Sequence, residues 1–66
     1  MSLSQLESEL REILSRDHIL RSDIVKVAAR WMMHSGTTIP QSFDIWNKTM
    51  SSLVKELIIT PDDIKE

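Results

Sequence analysis

The chain has 66 residues, a formal net charge of −2, 41% hydrophobic residues and no cysteine. This length allows one domain, whose core is normally marginal without a disulfide, a metal or a partner. The lack of cysteine excludes disulfides and thiolate metal sites, and His18 and His34 lie too far apart for a helical ligand pair. We therefore expect no metal and no cofactor, and a partner chain as the source of additional stability.

Hydropathy and charge exclude further classes of protein. No apolar run approaches the roughly 20 residues that span a bilayer, and the opening MSLSQLESELR lacks the pattern of a secretion signal, so we expect a soluble, cytoplasmic protein. Residues 1–34 carry five basic and five acidic side chains, and residues 35–66 carry three and five. Neither half has the basic stripe that a phosphate backbone requires, so we expect no nucleic-acid partner.

Residues 3–34 are predicted to form one long amphipathic helix. Neither Gly nor Pro occurs before position 36. Apolar side chains recur at alternating spacings of three and four, except that the polar Asp17 occupies one position of the series. The acid–base pairs Glu7–Arg11 and Glu12–Arg16 favour the same helix. The stripe consists of Leu3, Leu6, Leu10, Ile13, Leu20, Ile24, Val27 and Trp31, and a partial second stripe of Leu14, Val25, Ala28 and Met32 widens it.

A turn at about residues 35–38 and a second helix at about 39–59 follow. Gly36 suits the left-handed position that ends a helix, and Pro40 suits the first turn of the next helix, with Thr38 or Ile39 as its cap. The tail, residues 60–66, either adds one helical turn after Thr60 or frays. The stripe of the second helix is Phe43, Trp46, Met50, Leu53 and Leu57, broadened by Val54 and Ile58.

These elements predict an all-α fold, an antiparallel two-helix hairpin in a single domain of residues 1–66, because the connection between the helices is short. With the turn centred near residue 37, the predicted facing pairs are Trp31 with Phe43, Val27 with Trp46, Ile24 with Met50, and Leu20 with Leu53. The predicted hairpin core is Leu20, Ile24, Val27, Trp31, Phe43, Trp46, Met50, Leu53 and Leu57.

The two helices differ in length. The first would span roughly 46 Å and the second roughly 30 Å, which leaves some 16 Å of the first without a mate. This overhang binds a partner, meets a copy of itself, or folds back as a third short helix after a break near residues 15–18, with Ser15 or Asp17 as a cap. The lack of Gly and Pro favours continuity, so the predicted partner-binding residues are Leu3, Leu6, Leu10, Ile13 and Leu14.

The sequence shows no pattern typical of an enzyme. Catalysis by side chains requires a nucleophile, a base and a pocket. The chain has neither Cys nor Tyr, its serines are scattered, and it is too short to enclose the usual ligand pocket of about 300 Å³ or more. We therefore expect no catalytic residues.

Several segments together resemble a known family. The leucine-rich opening LSQLESEL, the turn MMHSG, and an aromatic residue three positions before Trp in SFDIWNKTMSSLVKELII are similar to the YscE-type small chaperones of bacterial type III secretion systems. The resemblance covers nearly the whole chain in layout and about a dozen positions in identity. It implies a helical hairpin without a catalytic site.

The resemblance also implies a function. YscE-type proteins pair with a tetratricopeptide-like chaperone, and the two hold the needle subunit as a soluble heterotrimer in the bacterial cytoplasm before export. We therefore expect a small co-chaperone that helps to keep the needle subunit unpolymerised and that, when alone, is either marginally stable or self-associates. The alternative is a homodimeric four-helix bundle that serves as a structural or regulatory adaptor.

Overall fold

The computed structural model describes residues 1–66 and contains three helices, α1 (Leu3–Leu14), α2 (Arg21–His34) and α3 (Ile39–Leu57). A 3₁₀ turn at Pro61–Asp63 follows, and two short strands, β1 (Ile19–Leu20) and β2 (Ile64–Lys65), pair in parallel. The three helices pack on one another in a body of 32 × 20 × 17 Å. The helical class is thus observed, with a two-stranded ladder that the sequence analysis did not predict.

Local sequence explains where most helices begin. The Ser2 hydroxyl accepts a hydrogen bond from the Gln5 backbone N–H (3.2 Å), and the Gln5 side chain accepts one from the Ser2 N–H (2.9 Å), a reciprocal cap at the start of α1. Thr38 caps α3, and Pro40 lies in its first turn. Gly36, just after α2, has a φ of +77°, the left-handed conformation that glycine adopts without strain.

The prediction of one continuous helix over residues 3–34 is wrong, because the chain breaks after Leu14. Ser15 is the C-cap of α1, four consecutive polar residues (15–18) carry the reversal, and α2 starts after Leu20 without a side-chain cap. Neither Ser15 nor Asp17 therefore caps the following helix. The observed chain follows the alternative prediction, in which the first segment folds back as a third helix. Helix α1 lies against α2 and α3.

Energetics favour the break. Folding back buries four apolar side chains of α1, each contributing about 1.5–3 kcal/mol relative to exposure. A straight helix would have gained only the few backbone hydrogen bonds of residues 15–20, each contributing about 0.5–1.5 kcal/mol net. Four side chains give roughly 6–12 kcal/mol and six hydrogen bonds roughly 3–9 kcal/mol, so the centre of the burial range is the higher one, although neither Gly nor Pro marks the break.

Helix α1 supplies half of the buried apolar core. Leu6 and Leu10 are fully withdrawn from solvent, and Ile13 and Leu14 are only 6% and 3% exposed. The prediction that these four residues bind a partner is therefore wrong for this fold, since their side chains are already covered; Leu3 remains 46% exposed. The buried apolar core is Leu6, Leu10, Ile13, Leu14, Ile19, Val27, Trp31 and Leu53.

Helix α3 is rotated relative to the prediction. Phe43 is 56% exposed, so it does not face Trp31, whose indole N–H instead donates a hydrogen bond to the Ser42 carbonyl oxygen (2.8 Å). The Ser42 side chain is buried, and its hydroxyl lies 2.5 Å from that of Ser35 and 2.7 Å from that of Thr37.

Two predicted hairpin-core residues are therefore misplaced. Phe43 lies at the surface because the buried side of α3 includes the small polar residues Ser42 and Thr49. Leu20 is 39% exposed in β1, so it does not pair with Leu53 in a helical hairpin. Of the rest, Val27, Trp31 and Leu53 are buried, and the others are partly buried against the core: Ile24, Trp46, Met50 and Leu57.

The burial of α1 can be tested by truncation of one leucine. Leu10→Ala removes a fully buried side chain and should lower the free energy of unfolding by about 2–5 kcal/mol in urea denaturation. Leu3→Ala is the matched control, because Leu3 lies on the same helix and is 46% exposed. This variant should lose much less free energy of unfolding. Equal losses would contradict the placement of α1.

The end of α3 carries backbone strain that a substitution should relieve. Ile58 adopts φ +54° and ψ +57°, a left-handed conformation unfavourable for a β-branched residue, while its side chain is 85% exposed. Ile58→Gly should therefore raise the free energy of unfolding by about 1 kcal/mol. Ile39 is also exposed but has a helical backbone, so Ile39→Gly should lower the free energy of unfolding. A lower free energy of unfolding in both variants would contradict the strain at Ile58.

Candidate protein-binding face

The three grooves between the helices differ in the side chains at their rims. Arg30 of α2 pairs with Glu9 of α1 (2.6 Å) across the groove between these helices, and Arg16, in the connection between them, pairs with Asp23 of α2 (3.1 Å). The Arg11–Glu56 ion pair crosses the groove between α1 and α3, and the hydrogen bond and negative charge of Glu56 raise the pKa of Arg11. No ion pair joins α2 to α3.

The groove between α2 and α3 has apolar rims instead. The ion-paired residues Asp23, Arg30 and Glu56 mark the flanks of α2 and α3 that turn toward α1. An α-helix turns 100° per residue, which places the opposite flanks of α2 and α3 on the side of the two packed helices that is away from α1. We name this surface the α2/α3 face, and it comprises Val25, Ala28, Met32, Ile39, Phe43, Met50 and Val54.

Much of this face is open to solvent. Val25 is 57% exposed, Ile39 71% and Phe43 56%, and the other four members are partly buried. At one end of the face, Arg21 forms an ion pair with Glu66 (3.3 Å). A contiguous apolar surface of this kind marks an interaction site more often than isolated exposed apolar residues do.

Other exposed apolar residues lie elsewhere. Met33 is 76% exposed, but it follows Arg30 by three positions and Lys26 by seven, so it lies on the charged side of α2. Met33 therefore provides an apolar control position that is more exposed than Phe43 and lies off the α2/α3 face.

Two concave regions lie beside α3. A small cleft of about 170 Å³ lies at the end of the face near Arg21. It is below the usual size range of ligand pockets, which starts at about 300 Å³. An open depression of about 440 Å³ on the solvent side of α3 has only polar lining residues, whereas ligand pockets are mostly apolar. The cleft is lined by Arg21, Val54, Ile59, Thr60, Pro61 and Ile64.

No group of three or more His, Cys, Asp or Glu side chains is arranged to hold a metal ion. None of the helices combines the length and the apolar character needed to cross a membrane.

The C-terminal segment closes the small cleft through a local cap. The Thr60 backbone N–H (2.8 Å) and the Thr60 hydroxyl (3.1 Å) both donate hydrogen bonds to Asp63 Oδ2. These hydrogen bonds lower the pKa of Asp63 below its ordinary value, and the bond from the Thr60 backbone N–H has the larger effect. The cap precedes β2, in which Ile64 lies opposite Ile19, so the charge of Asp63 helps to hold the last strand in place.

The predicted site residues are distributed differently from the sequence-based expectation. Leu6, Leu10 and Leu14 of α1 lie inside the bundle and Leu3 is partly exposed. The α2/α3 face draws on the partial second stripe of α2 and on Ile39, Phe43, Met50 and Val54 of α3. That second stripe was the signal in the sequence for the exposed face. Comparisons of the chain with protein-family models, with curated proteins and with solved structures gave no match.

The Asp63 cap predicts a pH-dependent tail. Because the folded-state pKa is depressed, the contribution of Asp63 to stability is present above the ordinary value of 3.8 and is lost as the pH falls through the lower, folded pKa. The protection factors of the Ile64 and Lys65 amides, which are the ratios of the intrinsic to the observed exchange rate at each pH, should therefore fall in acid. In Asp63→Ala, exchange at these amides should already be fast at neutral pH, corrected for intrinsic rates. Unchanged protection in that variant would contradict the role of the cap.

Proposed function

We propose that the protein is a small protein-binding module that docks on a larger helical partner through the α2/α3 face. The observation that carries this proposal is the contrast between grooves: ion pairs cross the two grooves beside α1, whereas the groove between α2 and α3 has exposed apolar rims. Helices that present apolar ridges at spacings of three and four pack into the grooves of other helices. A helical partner therefore suits this face.

The resemblance to YscE-type proteins gives the proposal a specific form. The protein is a non-catalytic co-chaperone in a bacterial cytoplasm that binds a tetratricopeptide-like chaperone and helps to keep the needle subunit unpolymerised. Tetratricopeptide arrays are stacks of helix pairs, so they offer extended helical surfaces. The contact differs from that expected from the sequence, since it uses the α2/α3 face and not the leucines of α1.

A small core is consistent with a protein that gains stability from its partner. Only eight apolar side chains are buried in the chain by itself. A partner that binds only the folded state adds about 2.7 kcal/mol of stability when its concentration is one hundred times the dissociation constant. Covering the α2/α3 face would also remove Ile39 and Phe43 from water, as expected for apolar anchors of an interface.

Co-expression with a tetratricopeptide-like chaperone and a needle subunit from the same genome tests the proposal. The three chains should co-elute in size exclusion, and Phe43→Asp should abolish the complex while circular dichroism shows a folded chain, because the charge would be buried against apolar groups. Met33→Asp, which places the same charge off the face, should leave the complex intact.

Three outcomes of this experiment would contradict the proposal. Separate elution of the wild-type chains at micromolar concentration would remove the co-chaperone function. Equal loss of the complex in both aspartate variants would place the contact away from the α2/α3 face, as would retention in both.

A further inference from the structure

Arg21 differs from the other three arginines of the chain. Arg11, Arg16 and Arg30 each donate hydrogen bonds to carboxylate groups of the same chain. Arg21 forms an ion pair with Glu66, in which 3.3 Å separate Nε and Oε1, and donates no hydrogen bond within the chain. Both side chains of this pair are largely exposed to solvent. The five N–H donors of the Arg21 guanidinium are therefore accessible to an acceptor from outside.

The small cleft that Arg21 lines is otherwise uncharged. Four of its six lining residues are apolar, and Thr60 is the only polar one besides Arg21. The backbone N–H and the hydroxyl of Thr60 both already donate to Asp63 Oδ2. The cleft thus combines apolar walls with one guanidinium group as its available donor.

The size of the cleft limits what it can hold. Its volume is about 170 Å³. An apolar cavity of about 150 Å³ accommodates a molecule of the size of benzene, so this cleft suits one branched or aromatic side chain. A guanidinium group binds a carboxylate through two parallel N–H donors. The matching ligand is therefore an apolar side chain that has a carboxylate close to it.

The cleft is continuous with the α2/α3 face. Val54 belongs to both, and Arg21 is the first residue of α2, at the end of the helix away from the turn at residues 35–38. The cleft therefore lies at the end of the face that is farthest from this turn. A helix that docks along the face brings its side chains over the cleft at that end.

From these observations we infer that the cleft binds one turn of the partner helix in which a branched apolar side chain and a carboxylate lie on the same side. The apolar side chain enters the cleft, and the carboxylate accepts hydrogen bonds from Arg21 in place of the Glu66 ion pair. This contact rests on the proposed function, which supplies a helical protein as the partner, and it adds a sequence requirement on that partner. It also fixes the orientation of the partner helix, since the carboxylate has to lie at the Arg21 end of the face.

A titration of the isotope-labelled full chain with isocaproate tests the chemistry of the cleft. Isocaproate has a branched apolar body and a carboxylate, isocaproamide lacks the charge, and acetate lacks the apolar body. Millimolar isocaproate should shift the amide signals of Arg21, Val54 and Ile64, and the other two compounds should bind at least about tenfold more weakly. The absence of shifts at these amides would overturn the inference, and so would equally tight binding of acetate.

Two variants separate the guanidinium from the apolar walls. Arg21→Gln should weaken the binding of isocaproate at least about tenfold. Lys26→Gln is the matched control, because Lys26 is exposed on the same helix, carries the same charge and forms no ion pair. Val54→Phe should abolish binding by filling the cleft while Arg21 is retained. With circular dichroism showing folded chains, wild-type affinity in Arg21→Gln or Val54→Phe would overturn the inference.

Glu66→Gln should have the opposite effect. This variant removes the carboxylate that competes for Arg21, so isocaproate should bind more tightly, whereas an ion pair with a structural role alone would give no gain. Asp62→Asn is the matched control, since Asp62 is also exposed and does not pair with Arg21. An equal gain in both variants would reduce the effect to net charge and overturn the competition at Arg21.

A peptide tests whether the ligand belongs to a protein helix. An alanine-based peptide of about 18 residues is long enough to form an isolated helix, and Leu and Glu placed four positions apart in it lie on one face. This peptide should displace isocaproate, and the same peptide with Gln in place of Glu should not. Binding of isocaproate without displacement by the Leu–Glu peptide would overturn the assignment to a helical partner.

Failure of this inference can be distinguished from failure of the proposed function. A complex with the tetratricopeptide-like chaperone that is equally tight in wild type and in Arg21→Gln overturns the inference alone. A chain that binds the Leu–Glu peptide through Arg21 but forms no complex with the chaperone overturns the proposed function alone.

Discussion

The architecture depends on the burial of Leu6 and Leu10 of α1 between α2 and α3. Both side chains are completely withdrawn from solvent, and together with Ile13 and Leu14 they form half of the buried apolar core. A hairpin of α2 and α3 alone would expose apolar side chains on both sides. Because α1 covers one side, the rest of the chain has to reverse direction at residues 15–18, and the other side of the hairpin stays open.

The charged residues follow the same division. Ion pairs flank α1 on both sides, linking it to α2 through Arg30 and Glu9 and to α3 through Arg11 and Glu56. These contacts are exposed and contribute little to stability, but they fix which flank of each helix faces α1. The seven residues of the α2/α3 face are uncharged. The bundle thus has one closed side and one side suited to another helical surface, which is the basis of the proposed function.

Sequence reasoning was accurate where local chemistry decides the structure. At the beginning of α3, Pro40 lies in the first turn as expected, and Thr38 is the cap out of the two residues that the sequence offered. For the tail, the helical turn after Thr60 is observed, which was one of its two expected conformations. The break after Leu14 was not the favoured expectation, because residues 15–18 contain no Gly or Pro and their polar character was interpreted as a single missing beat. Tertiary burial, and not local propensity, decides that point.

The errors on α3 and on the tail have different physical causes. A stripe of apolar residues alone places Phe43 in the core, yet the buried side includes Ser42, whose hydroxyl and carbonyl groups bond with the turn and with Trp31. Small polar residues satisfied in this way are invisible to a hydropathy pattern. The pairing of Ile19 with Ile64 joins two strands of two residues each, too short to leave any periodic signal.

The most direct test measures whether α1 lies against the hairpin, since this contact determines which face is open. Ser4 and Met33 are both exposed, so each can be replaced by cysteine and carry a spin label. Double electron–electron resonance then measures the distance between the two labels, in a sample diluted with unlabelled chain. Packed helices have axes about 8–10 Å apart, so the account predicts a label separation on the order of 20 Å or less. A separation near the roughly 44 Å of a continuous helix would contradict it.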